Sequence, residues 1–271
     1  MPAAVVLLVA LSLVADQAPQ AQAPVVPAAS VSAASSTGSK VWLGREAEFE
    51  EFLKTAPISR IEEVPIGVTK PVRAYFEPGG LVSSVVFKPL QPGRSKGGFF
   101  ESYKSEIAAY ELDKLLGLGM VPPTVERRAK HDMGSAQLWV ENCVWLKTKD
   151  PNTSGDIVRW NRQVYRQRVW DNLTGNIDRN EGNLLIDPQW NLILIDHSRA
   201  FTSTNKMPFP MTRIDRSFYE KLKALTEEDL KTRLDGLLFD GPKSLLKRRD
   251  LIVKHFEKLI KDKGEAAVLI P

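Results

Sequence analysis

Three polar residues stand at spacings that suit chemistry on a hard cation: Asp178, Asn183 five residues later, and Asp196 at the end of the next apolar run. The stretch reads Asp171-Asn-Leu-Thr-Gly-Asn176-Ile-Asp178-Arg-Asn-Glu-Gly-Asn183, then Leu-Leu-Ile-Asp-Pro-Gln-Trp-Asn-Leu-Ile-Leu-Ile-Asp196. Asn183–Asp187 and Leu192–Asp196 are expected to be two short strands joined by a turn at Pro188-Gln189-Trp190. Such a hairpin returns Asp196 to the mouth where Asn183 sits. One amide oxygen and one carboxylate facing a common point suit Mg²⁺ or Mn²⁺, which takes its other ligands from phosphate and water. Asp178, in a loop after a helix, is left to orient or deprotonate a hydroxyl. The spacing D-x-x-x-x-N followed by a second Asp is the division of labour used in phosphoryl transfer. Plainer roles exist for each residue: Asp178 and Asn183 could cap turns, and Asp196 could be a helix N-cap.

Phosphoryl transfer also needs a cation on the nucleotide phosphates. Val85-Val86-Phe87-Lys88 places a lysine at the end of a β-branched strand, and the helix that follows offers Glu106 to pair with it. Glu111 and Asp113 are rivals on the same helix. Gly79-Gly80 is the candidate for a turn over the phosphates, since no Gly-x-Gly-x-x-Gly run is present.

The elements that must hold these residues can be read from periodicity and turn chemistry. A helix is expected at Glu46–Lys54, strands at Ile61–Val68, Val72–Phe76 and Leu81–Phe87, and a loop at Gln91–Gly98. Glu101–Leu118 reads as a helix with Ala108, Leu112, Leu115 and Leu116 on one face, stopped by Gly117 and Gly119. Thr124–Arg128 and Gln137–Leu146 read as strands joined by a turn containing Asp132-Met133-Gly134. Asp156–Thr174 is a long helix burying Ile157, Trp160, Val164, Val169 and Leu173. The tail from Thr226 to Ile260 is helical, with Thr226 and Asp229 forming a capping box. Trp139, Trp145, Trp160 and Trp170 are expected in the core, Cys143 as a small buried hydrophobe, and His197 as a packing or hydrogen-bonding residue. The order predicts an α+β chain with a small N-terminal sheet lobe, about 40–146, and a helical C-terminal lobe, about 147–271.

Composition narrows the class. The 271 residues contain one cysteine, which excludes an intrachain disulfide scaffold and thiol metal clusters. Three scattered histidines make a poor zinc site. A net charge of +4 is too weak to imply nucleic acid, and none is expected as a partner. The run Lys243–Lys263 reads as a solvated basic helix face that could also touch an anionic surface. At the start, residues 3–15 are uncharged and too short for a bilayer span, which needs about 20 residues, but suit the apolar core of an export signal. Residues 16–39, almost all Ala, Pro, Gln, Val and Ser, read as a tether before a domain at 40–271. Export or membrane tethering is expected, or a cytoplasmic location if the apolar stretch is not part of the natural chain.

The helix Ser105–Asp113 with its Pro122-Pro123-Thr124 continuation, the segment Gly175-Asn176-Ile-Asp178-Arg179 with Asn183, and Ile195-Asp196 with Arg199-Ala-Phe201 resemble atypical kinases. The families are the secretory-pathway (casein-kinase-like) kinases and the type II phosphatidylinositol 4-kinases, and the likeness spans roughly residues 70–202. It implies a two-lobed protein-kinase-like fold with ATP in the cleft. Lys88 would contact phosphates, Glu106 would pair with it, Asp178 would be catalytic, and Asn183 and Asp196 would hold Mg²⁺ or Mn²⁺. Asp171 and Asn176 would support the catalytic loop. Asn180 stands where the secretory kinases tend to have His, and His197-Ser198 where Asn-Gly often follows the metal Asp. The function implied is phosphorylation of a hydroxyl acceptor, protein, lipid or small molecule. A non-catalytic binding module or a nucleotidyl transferase on the same fold are the alternatives.

Overall fold

The computed structural model describes residues 40–64 and 70–271. The apolar stretch 3–15, the tether 16–39 and the end of the strand expected at Ile61–Val68 lie outside them.

Helix α1 (Glu46–Thr55) leads into strand β1 (Ile58–Glu63), followed by β2 (Val72–Phe76) and β3 (Ser84–Lys88). A small hairpin, β4 (Gly93–Arg94) and β5 (Phe100–Glu101), precedes helix α2 (Tyr103–Leu116), and β6 (Thr124–Ala129) and β7 (Asp132–Leu138) complete the first lobe. The five long strands form one antiparallel sheet in the order β1-β2-β3-β7-β6. The second lobe begins with β8 (Val144–Trp145) and helix α3 (Ile157–Thr174). Next come the hairpin β9 (Leu184–Ile186) and β10 (Leu192–Leu194), β11 (Ile214–Asp215), α4 (Arg216–Ala224) and α5 (Glu227–Leu234). It ends with α6 (Lys243–Lys263), the short α7 (Glu265–Val268), and β12 (Leu269–Ile270), which pairs in parallel with β11. The architecture is therefore α+β, a sheet lobe followed by a helical lobe.

Local chemistry explains the helices that frame the site. Ser102 caps α2 by accepting the Lys104 N–H at 3.0 Å, and Gly117 stops it in a left-handed turn at φ 59°. Asp156 caps α3 through the Arg159 N–H at 2.9 Å, and Gly175 ends it at φ 63°. The capping box at α5 is present, Thr226 and Asp229 satisfying each other's backbone N–H.

Two apolar clusters form. Phe49, Leu53, Val85, Phe87, Ala136 and Leu138 belong to the sheet-lobe core. The larger cluster gathers α2, α3, α4 and α6 around Leu112, Trp170, Leu173 and Phe256. Strand β10 lies between them, for Ile193 packs into the first cluster while Leu192 and Leu194 pack into the second.

Several expectations need correction. The β6–β7 turn falls at Lys130-His131, where Lys130 adopts φ 54°, so Asp132-Met133-Gly134 is strand rather than turn. Gly134 is needed there, because a Cβ would lie 2.4 Å from the Lys88 carbonyl oxygen. The strand expected at Gln137–Leu146 ends at Leu138, and the chain turns through Asn142 (φ 59°) before β8 joins a different sheet. The tail is not one helix: Gly236, Gly241 and Pro242 separate α5 from α6. Ile157, expected in the buried stripe, is exposed in the first turn of α3. Trp160 and Trp170 are core, but Trp139 and Trp145 are half-buried with Arg73 and Lys147 over their rings. Cys143 is half-buried as well.

Candidate active site

Lys88 ends β3 and enters the interior, where its ammonium sits between two carboxylates. Its Nζ lies 2.6 Å from Glu106 Oε1 on α2 and 2.8 Å from Asp196 Oδ1 beyond β10. Glu106 and Lys88 are buried, whereas Asp196 is partly open. Burial alone would pull the lysine's pKa down, but Asp196 and Glu106 override it and hold the group above its ordinary value. Burial would likewise raise Asp196, yet Lys88 and the Ser198 hydroxyl at 3.0 Å hold its carboxyl well below the usual range. Of the three acids on α2, Glu106 is the one that meets Lys88. Glu111 pairs with Lys114, and Asp113 accepts the Met120 N–H at 3.0 Å.

Asp196 itself adopts φ 58°, a left-handed conformation that Asp tolerates better than most residues. The backbone after it is fastened to α2 by three bonds. His197 N–H donates to Glu106 Oε2 at 2.9 Å, Ser102 N–H to the Ser198 carbonyl at 3.0 Å, and Ser105 Oγ to the Ala200 carbonyl at 3.4 Å. Glu106 thus serves the lysine with one oxygen and the Asp196 segment with the other.

The hairpin behaves as its length predicts. Leu184 pairs with Leu194, the Ile195 N–H reaches the Asn183 carbonyl at 3.2 Å, and Asn183 and Asp196 emerge at the same end. Asp178 precedes this hairpin. Its carboxylate is 44% exposed and accepts from Arg199 Nη1 at 3.1 Å, while its backbone oxygen accepts from the Asn183 amide at 3.2 Å. Arg199 also holds Glu101 Oε1 at 2.6 Å and lies over the Phe99 ring.

Arg179 organises the loop. It bonds both oxygens of buried Asp171 at 3.0 and 3.1 Å, the Asn183 carbonyl at 2.8 Å and the Ile195 carbonyl at 2.7 Å. Asn176 joins the same knot, donating to Asp171 Oδ1 at 3.3 Å and accepting the Asp178 N–H at 3.3 Å. Asp171 also accepts from Gln167. Both Trp170 Nε1 and Arg179 Nη2 point at His197 Nε2, at 3.1 and 2.9 Å, so that nitrogen is the acceptor and the proton belongs on Nδ1. Burial, reinforced by the Arg179 charge, pushes the His197 pKa well below its usual value and keeps the ring neutral.

Arg179 and Arg199 escaped the sequence reading as site residues. Both stand in the motifs that carry the kinase resemblance, each just after a conspicuous acid, but nothing in spacing says which carbonyls an arginine will reach. Gly79-Gly80 is corrected too. That turn joins β2 to β3 at the Ser84 end, and a Cβ on Gly80 would strike the Phe52 ring of α1. Lys88 lies four residues further along β3, about 13 Å away. At the Lys88 end, Phe87 faces Val72, which in turn faces Glu63, so the β1–β2 connection leaves from there.

Among the described residues no group of three or more His, Cys, Asp or Glu side chains gathers as a metal site. The donors at this end of the hairpin are instead one carboxylate, Asp196, and one amide, Asn183. Both are hard oxygen ligands, and together they fit Mg²⁺ or Mn²⁺ that draws further oxygens from phosphate and water.

No family model and no curated protein matches the chain. Solved structures do. A crystal structure of the Golgi casein kinase superposes with a TM-score of 0.61 at 18% identity, covering 83% of this chain and 78% of that one. The same kinase with Mn and ADP bound gives 0.61 at 19% identity over the same shares. Hydra Fam20 with sugar gives 0.62 at 19% identity, covering 83% of this chain and 91% of that one. At this identity the likeness establishes the fold, a secretory-kinase-like arrangement of two lobes.

Proposed function

We propose that the chain is an atypical kinase, an ATP- and divalent-metal-dependent phosphotransferase acting on a hydroxyl acceptor. The observation that carries the reading is the buried Lys88 ammonium clasped by Glu106 and Asp196 where the sheet lobe meets the helical lobe. A permanent cation on a strand end, steadied by a helix carboxylate, is what nucleotide phosphates require. The Mn/ADP-bound relative in fold supports the same choice of ligands.

In this reading Asp178 accepts the acceptor's proton as its oxygen bonds to the terminal phosphorus of ATP, and the bond to the bridging oxygen breaks to release ADP. Asp178 is suited by being exposed, unlike Asp171, which Arg179 and Asn176 consume. Asn183 and Asp196 would hold Mg²⁺ or Mn²⁺, which when bound neutralises charge on the phosphate oxygens. Lys88 adds a second positive charge that needs no rearrangement to act. Arg199 reaches Asp178 and Glu101, and keeps the base oriented until an acceptor arrives.

The test is incubation of the full chain with radioactive ATP, Mn²⁺ and a panel of protein and lipid acceptors, with intact-mass analysis of products. Asp178→Asn should slow transfer by about 10²–10⁴-fold. Labelling by Asp196→Ala at the wild-type rate would overturn the assignment, and a nucleotidyl mass increment would redirect it to nucleotidyl transfer. The secretory-kinase likeness favours a protein acceptor, and the resemblance to type II phosphatidylinositol 4-kinases favours a lipid; the panel separates the two. Export or membrane tethering through residues 3–15 belongs to the same reading, as does contact of the basic α6 with an anionic surface. Among the described residues no helix is long and apolar enough to cross a membrane.

A second reading, nucleotide binding without transfer, draws on one observation. The candidate carboxylates are already engaged, Asp196 by Lys88 and Ser198 and Asp178 by Arg199. Stabilisation by ATP with no labelled product from any acceptor would select it.

A further inference from the structure

Among the described residues the five-stranded sheet leaves the outer edges of β1 and β6 unpaired, and it curls so that both line one cavity of about 360 Å³. Arg60 on β1 and Arg127, Arg128 and Lys130 on β6 and its turn line it beside Ser59 and Ala129, and no carboxylate does. Arg60 has a partner in Glu62 and lies over the Tyr75 ring. Arg128 donates to the His131 carbonyl at 2.8 Å, and neither it nor the exposed Lys130 has a carboxylate partner among the described residues. None of these residues belongs to the cluster around Lys88.

Arg127 marks the place. Its Nη1 and Nη2 hold the Leu53 and Ala56 carbonyls at the end of α1, at 2.7 and 3.0 Å. Its Nε is buried and has no acceptor among the described residues. A guanidinium N–H without an acceptor is rare in folded proteins, and here it belongs to a side chain that lines a cavity with three further cations. Four cations and no carboxylate along one cavity lining suit a negatively charged oxygen. The open strand edges on either side offer backbone groups to an extended chain carrying such an oxygen.

We infer that the cavity between β1 and β6 is an anion-binding site, separate from the cleft, that takes a carboxylate or phosphate group. Two sources carry such a group, a free oxyanion and an acidic side chain of an extended peptide, and the probes below separate them. The experiment follows backbone amide exchange in the full chain with two probes, inorganic phosphate and a glutamate-rich peptide. Bound probe should slow exchange at 58–61 and 127–130, and added salt should weaken it. The triple variant Arg60→Ala/Arg128→Ala/Lys130→Ala should bind about tenfold more weakly or worse while keeping the fold, because these side chains lie at the surface. Arg127→Lys, which keeps the charge but loses the fork, gives a second reading if the α1 anchor survives. Protection by phosphate identifies a free oxyanion, and protection by the peptide alone identifies a peptide ligand. No protection by either probe, or protection that the triple variant retains in full, overturns the site.

Discussion

Lys88 shows how an expensive group is made permanent. Its ammonium and the Glu106 carboxylate are both withdrawn from water, and each is tolerable only because the other is present. Lys88→Met should therefore destabilise the fold by about 3–5 kcal/mol, since the buried Glu106 carboxyl loses its partner. Adding Glu106→Gln should recover part of that loss, measured by urea unfolding of the two single variants and the double. Additive losses would mean that the pair is not coupled. His197 makes the opposite bargain and stays neutral. Its folded pKa lies below the unfolded value of 6.5, so the unfolded chain binds the extra proton first on acidification. The stability it contributes is complete above 6.5 and drains away below it, by up to about 1.4 kcal/mol per pH unit. His197→Gln should flatten that acid limb of the stability profile, and an unchanged slope would mean that the histidine does not titrate this way.

The segment between α3 and β9 is the element on which the site depends. It is positioned from outside the Lys88 cluster, by an arginine on the last long helix. Arg248, expected on a solvated face, is buried, and donates to the carbonyls of Leu173, Thr202 and Thr204 at 2.7, 2.6 and 2.9 Å. Burial pulls its pKa down to about 10, still charged at neutral pH. Its guanidinium covers Gly175, where a Cβ would come within 3.0 Å of Cζ and where φ is +63°. Gly175→Ala should cost about 1–2 kcal/mol from the left-handed backbone alone, and more from the contact. Because Asp178 lies three residues on, the same change should lower turnover although Gly175 touches no substrate. A thermal midpoint and activity both equal to wild type would refute the link. Arg249 is half-buried too, donating to the Leu222 and Leu225 carbonyls, while the lysines of the run from Lys243 to Lys263 do lie at the surface as their spacing implied.

At the scale of the whole molecule, two apolar cores meet along α2 and β10, and the candidate site draws on both sides of that seam. Lys88 comes from the sheet lobe, and Asp178, Asn183 and Asp196 from the helical one. A nucleotide gripped by both should stabilise the folded chain as a unit. ATP with Mn²⁺ at 100 times its dissociation constant adds about 2.7 kcal/mol, visible as a raised melting temperature. Lys88→Met and Asp196→Ala should each reduce the shift. A shift that survives both changes would place the nucleotide elsewhere.

Short-range chemistry determined much of this molecule. A β-branched run ending in lysine, a helix carrying Glu106, and a hairpin whose length returns Asp196 to Asn183 are local facts, fixed by period, capping and turn length. Those residues could be named before any coordinate, and so could the order of sheet lobe and helical lobe. Tertiary packing alone decided which acid on α2 meets Lys88, that Arg179 and Arg248 are buried against carbonyls, and that the Gly79-Gly80 turn stands at the opposite end of β3 from Lys88. An arginine's long side chain can end in water or in the interior from the same local backbone. Only the neighbours that crowd it, tens of residues distant along the chain, determine which.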